Sequence, residues 1–218
     1  MQREYKIILI AYLILQLTTG IGAYGTFLFL QIAQIQADFI LASVIWLTFS
    51  FSVTTLIVLL QWRNIRTRHN RQKSGFISSL VWTVFGVFLA IIVQFLLIHI
   101  EALFGIQPGS QNTEQLLAII QQIPIFLIVI IVLGPILEEI VFRQVIFGYL
   151  TKRFSTWVAA LISASLFSLA HMEIEHFLLY AGIGLVFTYL YDRTKRISVP
   201  ILAHILMNAF VVFDTFLL

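Results

Sequence analysis

The chain has 218 residues, of which 60% are hydrophobic and only 11% are charged, and its mean hydropathy is +0.99. A chain of this length cannot hide so many apolar side chains inside one water-soluble core, so the composition excludes a soluble globular protein and indicates a membrane protein. The absence of cysteine excludes disulfides and thiolate metal sites. The formal charge of +3 would suit an acidic partner, so the positions of the basic residues decide its meaning.

Seven apolar runs are long enough, or nearly so, to cross a hydrocarbon core, which takes about 20 helical residues. They cover residues 7–30, 39–62, 76–100, 124–150, 155–171, 177–192 and 197–218. The sequence therefore predicts an all-α, polytopic helical membrane protein with about seven transmembrane helices. The segment QNTEQLLAIIQQ, before the fourth run, is expected to form a short helix at the membrane interface.

The basic residues predict the orientation of the chain. All but one of the 13 lie before the first run or after the second, fourth and sixth runs: Arg3, Lys6, Arg63, Arg66, Arg68, Arg71, Lys73, Lys152, Arg153, Arg193, Lys195 and Arg196. The opposite connections, 31–38, 101–123 and 172–176, contain no Lys or Arg. By the positive-inside rule the N-terminus is cytoplasmic and the C-terminus external. The basic charge then reflects topology and attraction to the lipid bilayer, with no nucleic-acid partner.

The remaining basic residue, Arg143, lies inside the fourth run with Glu138 and Glu139, in the stretch GPILEEIVFRQ. Charges at this depth are costly, usually pair with one another inside the helical bundle, and often carry function. Glu139 and Arg143 are four residues apart in the order that favours an ion pair on one helix face. Upstream, Pro135 is expected to kink the helix or to start a fresh half-helix.

Glu138 points about 100° away from Glu139 on a regular helix, so it is the carboxylate without this cation partner. Such a buried carboxylate is suited to accept and return a proton at neutral pH, which makes Glu138 the candidate general base. The alternative is that the two glutamates and Arg143 form a polar network that only specifies the fold.

Two later runs contribute further polar groups. The fifth ends in His171, and the seventh places His204 and Asn208 four residues apart on one face. Together with Glu138 these groups could hydrolyse a peptide bond, with Glu138 and one histidine activating water while His204 and Asn208 donate to the oxyanion. Alternatively, Glu138 and both histidines could hold a divalent metal such as zinc. The residues alone leave this choice open.

Three motifs follow one another in this part of the chain. EEIVFR fits EExxxR, FSLAH fits FxxxH and HILMN fits HxxxN. Together they resemble the CPBP family, the CAAX proteases and bacteriocin-processing enzymes also called the Abi group, over about residues 124–210. The resemblance implies an intramembrane endopeptidase similar to type II CAAX prenyl endopeptidases. The sequence has no hydrophilic domain, so the chain is expected to form one membrane domain, with N-terminal transmembrane helices and loops over 1–123 and a catalytic helical core, implied by the resemblance, over 124–218.

The resemblance also implies roles for single residues. Glu138 is the base, Glu139 and Arg143 support it, and His171 helps to activate water. His204 with Asn208 stabilises the oxyanion or binds metal, and the family is commonly taken to be metal-dependent. The expected substrate is a membrane-associated peptide or protein, prenylated or not, and the expected location is a bacterial plasma membrane.

Two functions from other classes compete with proteolysis. One is a catalytically silent membrane protein for immunity or partner binding on the same scaffold, which the intact set of polar residues disfavours. The other is a proton-coupled transporter, in which buried Glu and His form a relay. The odd number of helices and the lack of two similar halves disfavour transport.

The depths of the polar residues conflict with a bundle of straight, upright helices. Counting about 1.5 Å per residue from the nearest basic cluster, His204 lies about 12 Å from the cytoplasmic boundary, Glu138 about 21 Å and His171 about 27 Å. The helices must therefore be tilted, or the short hairpin over 155–192 must be displaced toward the cytoplasm.

Several polar residues are assigned no catalytic role. Ser163, Ser165 and Ser168 are interpreted as packing residues, because Ala160, Ala164 and Ser168 recur every four residues as a stripe of small side chains. The acidic turn with Glu173, Glu175 and His176 is expected to be a solvated loop.

Overall fold

The computed structural model describes residues 2–66, 74–109 and 111–217, and every element in these residues is a helix. Eight helical segments follow one another: α1 Arg3–Ile32, α2 Phe39–Arg66, α3 Phe76–Leu103, α4 Gln111–Gln122, α5 Pro124–Leu150, α6 Thr156–Ala170, α7 Phe177–Thr194 and α8 Ser198–Leu217. The all-α prediction is confirmed, helices form at all seven predicted runs, and α4 is the predicted short helix. His69 and the basic residues Arg68, Arg71 and Lys73 lie outside the described residues.

Length and hydropathy qualify four of the described helices as membrane spans. These are α1, residues Phe39–Trp62 of α2, α3 and α5, while α6 and residues Ser198–Asp214 of α8 are shorter apolar helices. The long helices carry exposed large apolar side chains, for example Leu17, Leu56 and Phe88. Apolar exposure this extensive matches a lipid environment better than water.

Backbone contacts divide the chain into two compact units. The first unit comprises Met1–His69 and Gln115–Leu137. Its main contact joins α1 to α2, where the Trp46 indole lies in the space that a side chain at Gly22 would fill. The first part of α5 packs on α2 through a core that includes Phe126 and Val129.

The second unit comprises Asn70–Glu114 and Glu138–Leu218, and it contains every predicted site residue. Its core is formed by α3, α7 and α8. Helices α6 and α7 approach closely, since a Cβ atom on Gly184 would lie 3.2 Å from Ala164 Cα. The predicted close approach along the small-residue stripe is therefore confirmed.

Helix α5 is irregular. Two π-helical stretches, Ile128–Leu133 and Glu139–Phe147, flank the α-helical turn Gly134–Glu138. Pro135 has no N–H to donate, and the wider hydrogen-bond pattern before it accommodates the missing bond. The backbone stays helical at Gly134, with φ −55° and ψ −62°, so the helix does not restart at Pro135. Both glutamates thus stand where α5 changes from an α-helix to a π-helix.

The turn before α7 corrects the expectation of a solvated loop at His176. His176 is buried; its Nδ1 lies 2.8 Å from Glu101 Oε2 and its Nε2 lies 3.2 Å from the Gly109 carbonyl oxygen. Glu101 Oε1 accepts the N–H of Leu179 at 2.9 Å, so a buried acid of α3 caps the first turn of α7. Only Glu175 remains fully exposed among the three turn residues. His176 and Glu101 therefore join the end of α3 to the start of α7.

This pair predicts a pH-dependent stability. Burial lowers the pKa of His176, but its hydrogen bond to Glu101 and the charge of Glu101 outweigh burial, so the pKa is raised above 6.5. The stabilisation is then fully present below about pH 6.5 and is lost as the pH rises through the folded-state pKa. Thermal unfolding in detergent between about pH 5 and pH 9 should show this loss in the wild type and a flatter profile in His176→Gln. Parallel profiles would contradict the assignment.

Candidate active site

The site is centred on the carboxylate of Glu139, which is fully buried. Its Oε2 lies 3.2 Å from Arg143 Nε, and neither side chain is exposed to solvent. The ion pair predicted from the spacing of these two residues is therefore present. The second oxygen, Oε1, lies 2.9 Å from Nδ1 of His204 on α8. The Glu139 carboxylate thus connects α5 to α8 through its contact with His204, which was not predicted from the sequence.

Arg143 extends the same network to α6 and α7. Its Nη2 donates to the carbonyl oxygen of Gly184 at 3.2 Å. The guanidinium lies 4.3 Å from the ring centre of Phe167 and 5.5 Å from that of Phe187, which are cation–π distances. Carboxylate, carbonyl and aromatic faces together offset part of the cost of burying this cation.

His204 stands between the two adjacent glutamates. Its Nδ1 contacts Glu139, and its Nε2 lies 3.8 Å from Glu138 Oε2. The side chain of Glu138 is 21% exposed, whereas that of Glu139 is 0% exposed. The two carboxylates do differ in environment, but the expectation that Glu138 is buried is wrong, because its side chain is partly exposed. One imidazole contacts Glu139 and approaches Glu138.

The hydrogen bonds define which nitrogen of His204 can react. The Glu139 carboxylate is paired with Arg143 and accepts hydrogen bonds, so Nδ1 of His204 carries a proton and donates it. Its Nε2 is then the nitrogen that faces Glu138. This arrangement, in which a buried acid orients an imidazole through Nδ1, is the one that hydrolytic triads use.

His171 lies immediately after the end of α6. Its Nδ1 donates to the Phe167 carbonyl oxygen at 2.8 Å, its ring meets the Phe167 ring edge-on at 4.6 Å, and it stacks on Tyr180 at 4.0 Å. The Phe167 ring also lies 6.1 Å from the His204 ring. Glu138 and His204 are both within electrostatic range of His171.

The structure therefore brings Glu138, His171 and His204 to one place, although straight helices would keep them apart. Helix α6 has 15 residues, so it rises about 22 Å against a hydrocarbon core of about 30 Å. The shortness of α6 matches the predicted short hairpin. Asn208 lies one turn after His204 on α8 and is half-buried.

The predicted metal ligands do not form a metal site as arranged. Within residues 2–66, 74–109 and 111–217, no three His, Cys, Asp or Glu side chains converge closely enough to hold an ion. Nδ1 of His171 and Nδ1 of His204 are both occupied by hydrogen bonds. Nε2 is therefore the nitrogen of each ring that remains for a metal or for the reaction.

Two serines do more than the packing assigned to them. The Ser163 hydroxyl donates to the carbonyl oxygen of Phe142 at 2.7 Å, and the Ser168 hydroxyl donates to that of Phe177 at 2.9 Å. Phe142 lies in the π-helical stretch of α5. Ser163 thus satisfies a carbonyl in the irregular helix that carries the two glutamates.

Three further residues around the histidines were not predicted as part of the site. Tyr180, Gly184 and Phe187 lie at intervals of four and three residues, so they share one face of α7. The Phe187 ring stacks on the His204 ring at 4.6 Å. These residues are apolar or weakly polar within an apolar helix, and their spacing was the only signal that could have identified them.

Comparison with known proteins connects this site to a family. The family model described as "Type II CAAX prenyl endopeptidase Rce1-like" matches residues 120–210. YdiL of Bacillus subtilis (strain 168), which carries the name of a membrane peptidase, is 39% identical over 217 residues, covering 97% of this chain and 89% of YdiL. The chain belongs to the Rce1-like type II CAAX prenyl endopeptidase family.

A second member of this protease group is also similar. The membrane-embedded CAAX protease MroQ of Staphylococcus aureus (strain USA300) is 39% identical over 138 residues, covering 60% of this chain and 56% of MroQ. No solved structure gives a significant match. The Rce1-like match contains all six predicted site residues, and the similarity to YdiL extends over α1–α3 as well. Family membership supports an integral membrane peptidase.

The buried ion pair generates a stability prediction. Glu139→Gln removes the charge that Arg143 and His204 share, and breaking a buried pair from one side costs about 3–5 kcal/mol. We expect a clearly lower melting temperature in detergent. Glu138→Gln is the matched control and should melt like the wild type, because its side chain is partly exposed. Equal melting of both variants would show that the Glu139 contacts do not stabilise the fold.

Proposed function

We propose that this protein is an intramembrane endopeptidase that hydrolyses a peptide bond of a membrane-associated or lipidated peptide with water activated by Glu138 and a histidine. The supporting observation is that two adjacent carboxylates lie near one imidazole, that of His204, in different environments. Glu139 lies 2.9 Å from its Nδ1 and is buried, whereas Glu138 lies 3.8 Å from its Nε2 and is partly exposed. Neutralising Arg143 requires only Glu139. The partly exposed Glu138 is thus available for chemistry.

In the proposed reaction Glu138 accepts a proton from water while the water oxygen attacks the substrate carbonyl carbon. Glu138 then returns this proton to the leaving nitrogen as the peptide bond breaks. His171 assists at the water, because its Nδ1 is committed to a carbonyl and its Nε2 is left for the reaction. The tautomer of His171 is therefore set by a contact outside the reacting atoms.

His204 and Asn208 are proposed to stabilise the oxyanion of the tetrahedral intermediate. In this role Nε2 of His204 must carry a proton in addition to Nδ1, so that the ring can donate to the developing oxyanion. The distance of 3.8 Å to Glu138 is too long for a direct hydrogen bond, so Nε2–H remains available to the substrate oxygen. Asn208, one turn further on α8, adds an amide donor.

The proposal predicts the effect of removing the base. Glu138→Gln should lower cleavage by about 10²–10⁴-fold, the usual contribution of a general base, with an unchanged melting temperature. Purified protein would be incubated with membrane-anchored peptides, including prenylated CAAX peptides, and the products identified by mass spectrometry. Glu175→Gln, at an exposed acid outside the site, is the control.

The outcomes separate the competing functions. Substantial activity in Glu138→Gln would refute Glu138 as the base. No cleavage by the wild type of any peptide in the set would favour a silent partner-binding protein or a transporter on the same scaffold.

We also propose that the protein lies in a bacterial plasma membrane with its N-terminus in the cytoplasm, because all Lys and Arg residues except Arg143 lie before the first apolar run or in alternate connections. The chain contains no cysteine, so single cysteines introduced at Gln2 and Leu218 can be labelled without background from other positions of the chain. An impermeant thiol reagent added to intact cells should label only the cysteine at position 218. Labelling of both positions from the same side would contradict an odd number of spans.

A further inference from the structure

We infer that Tyr180, held by Glu173, is a positioning residue that sets the orientation of the His171 imidazole. The inference rests on the proposed function, because it assigns a task to His171 in the reaction. It concerns two residues outside the three sequence motifs, and it starts from the way the chain leaves α6.

Beyond His171 the backbone is no longer helical, so no further helical turn holds the imidazole in place. His171 is the C-cap of α6, and Met172 follows with φ 59°, in the left-handed region that L-residues rarely adopt. The Met172 side chain is 86% exposed, so it does not anchor the turn. Contacts from neighbouring residues must therefore maintain this backbone conformation.

Two aromatic rings enclose the imidazole. Phe167 meets it edge-on at 4.6 Å with an interplanar angle of 63°, and Tyr180 stacks on it at 4.0 Å with an angle of 24°. The Nδ1 bond to the Phe167 carbonyl adds a third contact. A rotation of the ring would lose both the stacking and this hydrogen bond, so the three contacts define one orientation of Nε2.

Glu173 holds Tyr180 in turn. The Tyr180 hydroxyl donates to Glu173 Oε2 at 2.9 Å, and hydrogen bonds to a carboxylate are stronger than those between neutral groups. Glu173 lies two residues after His171 in the same turn. His171 stacks on Tyr180, Tyr180 donates to Glu173, and Glu173 follows His171 in the chain. This closed set of contacts stabilises the turn and the imidazole together.

The geometry points to positioning rather than direct catalysis. The Tyr180 hydroxyl is committed to Glu173, and its ring contacts the face of the imidazole. An error of about 1 Å in the placement of a catalytic group can cost about 100-fold in rate. A rigid support for His171 therefore acts on the rate without contacting the substrate.

The experiment compares variants of the full chain in detergent. Tyr180→Leu removes the stacked ring and should lower kcat by about 2- to 10-fold with little change in KM, the range expected for one aromatic pair. Tyr180→Phe and Glu173→Leu both remove the hydroxyl–carboxylate bond, so each should have a smaller effect on kcat than Tyr180→Leu, and the double variant should lose less than the product of the two single losses. Glu173→Gln keeps an acceptor oxygen and should restore wild-type kcat.

A readout without substrate tests the same inference. In protein with isotope-labelled histidine, the ring signals of His171 should shift in Tyr180→Leu, because the neighbouring aromatic ring is gone. Tyr189→Leu is the matched control, since Tyr189 lies on the same helix and packs against Trp82 at 5.9 Å. It should leave kcat and the His171 signals unchanged.

The outcomes distinguish this inference from the proposed function. Unchanged kcat and unchanged His171 signals in Tyr180→Leu, alongside an inactive His171→Ala, would overturn the positioning role alone. Full activity of His171→Ala would overturn the proposed role of His171 itself. A loss of kcat in Tyr180→Phe far larger than in Glu173→Leu would make the phenol a catalytic group and would also refute positioning.

Discussion

A single buried carboxylate determines how the helices of the site are arranged. Glu139 lies on α5 and contacts Arg143 on its own helix and His204 on α8. Arg143 then contacts the Phe167 ring of α6 and the Gly184 carbonyl of α7. Burying these charges without partners would cost several kcal/mol, so the helices that provide the partners are constrained to stay together.

The irregular backbone of α5 depends on the same neighbours. In a bilayer, non-helical or widened backbone is tolerated only where its polar groups find partners inside the protein. Ser163 of α6 provides one such partner for Phe142, next to Arg143. The helix that carries both glutamates is therefore stabilised by α6 through its backbone as well as through its charged side chains. The contacts with α6 that stabilise α5 therefore also hold the residues of the proposed reaction in place.

The parts of this arrangement that were predicted depend on signals local in sequence. Hydropathy placed the helices, the spacing of Glu139 and Arg143 identified their ion pair, and three short motifs indicated the family. The bond between Glu139 and His204 joins residues 65 positions apart, and it depends on helix lengths and tilts that no local pattern encodes. Tyr180 and Phe187 gave only a weak signal, their helical spacing, because aromatic residues are common in any membrane helix.

His176 shows the opposite error, in which a local signal was misleading. A short polar segment between two apolar runs is typical of a solvated loop, and Glu173 and Glu175 reinforced that interpretation. The partner that buries His176 is Glu101, at the end of α3 and 75 positions away. Polar residues near a helix end were therefore assigned to solvent, although another helix end supplied their hydrogen bonds.

Gly184 links the spacing between α6 and α7 to the environment of the Arg143 charge. Its carbonyl oxygen accepts from Arg143, and its missing side chain lets α6 approach to the backbone at Ala164. A methyl group at this position would act as a wedge between α6 and α7, and it would move the Phe167 ring away from the guanidinium that it covers. A substitution as small as one added methyl group would therefore weaken the contacts around a charge that this methyl group does not touch.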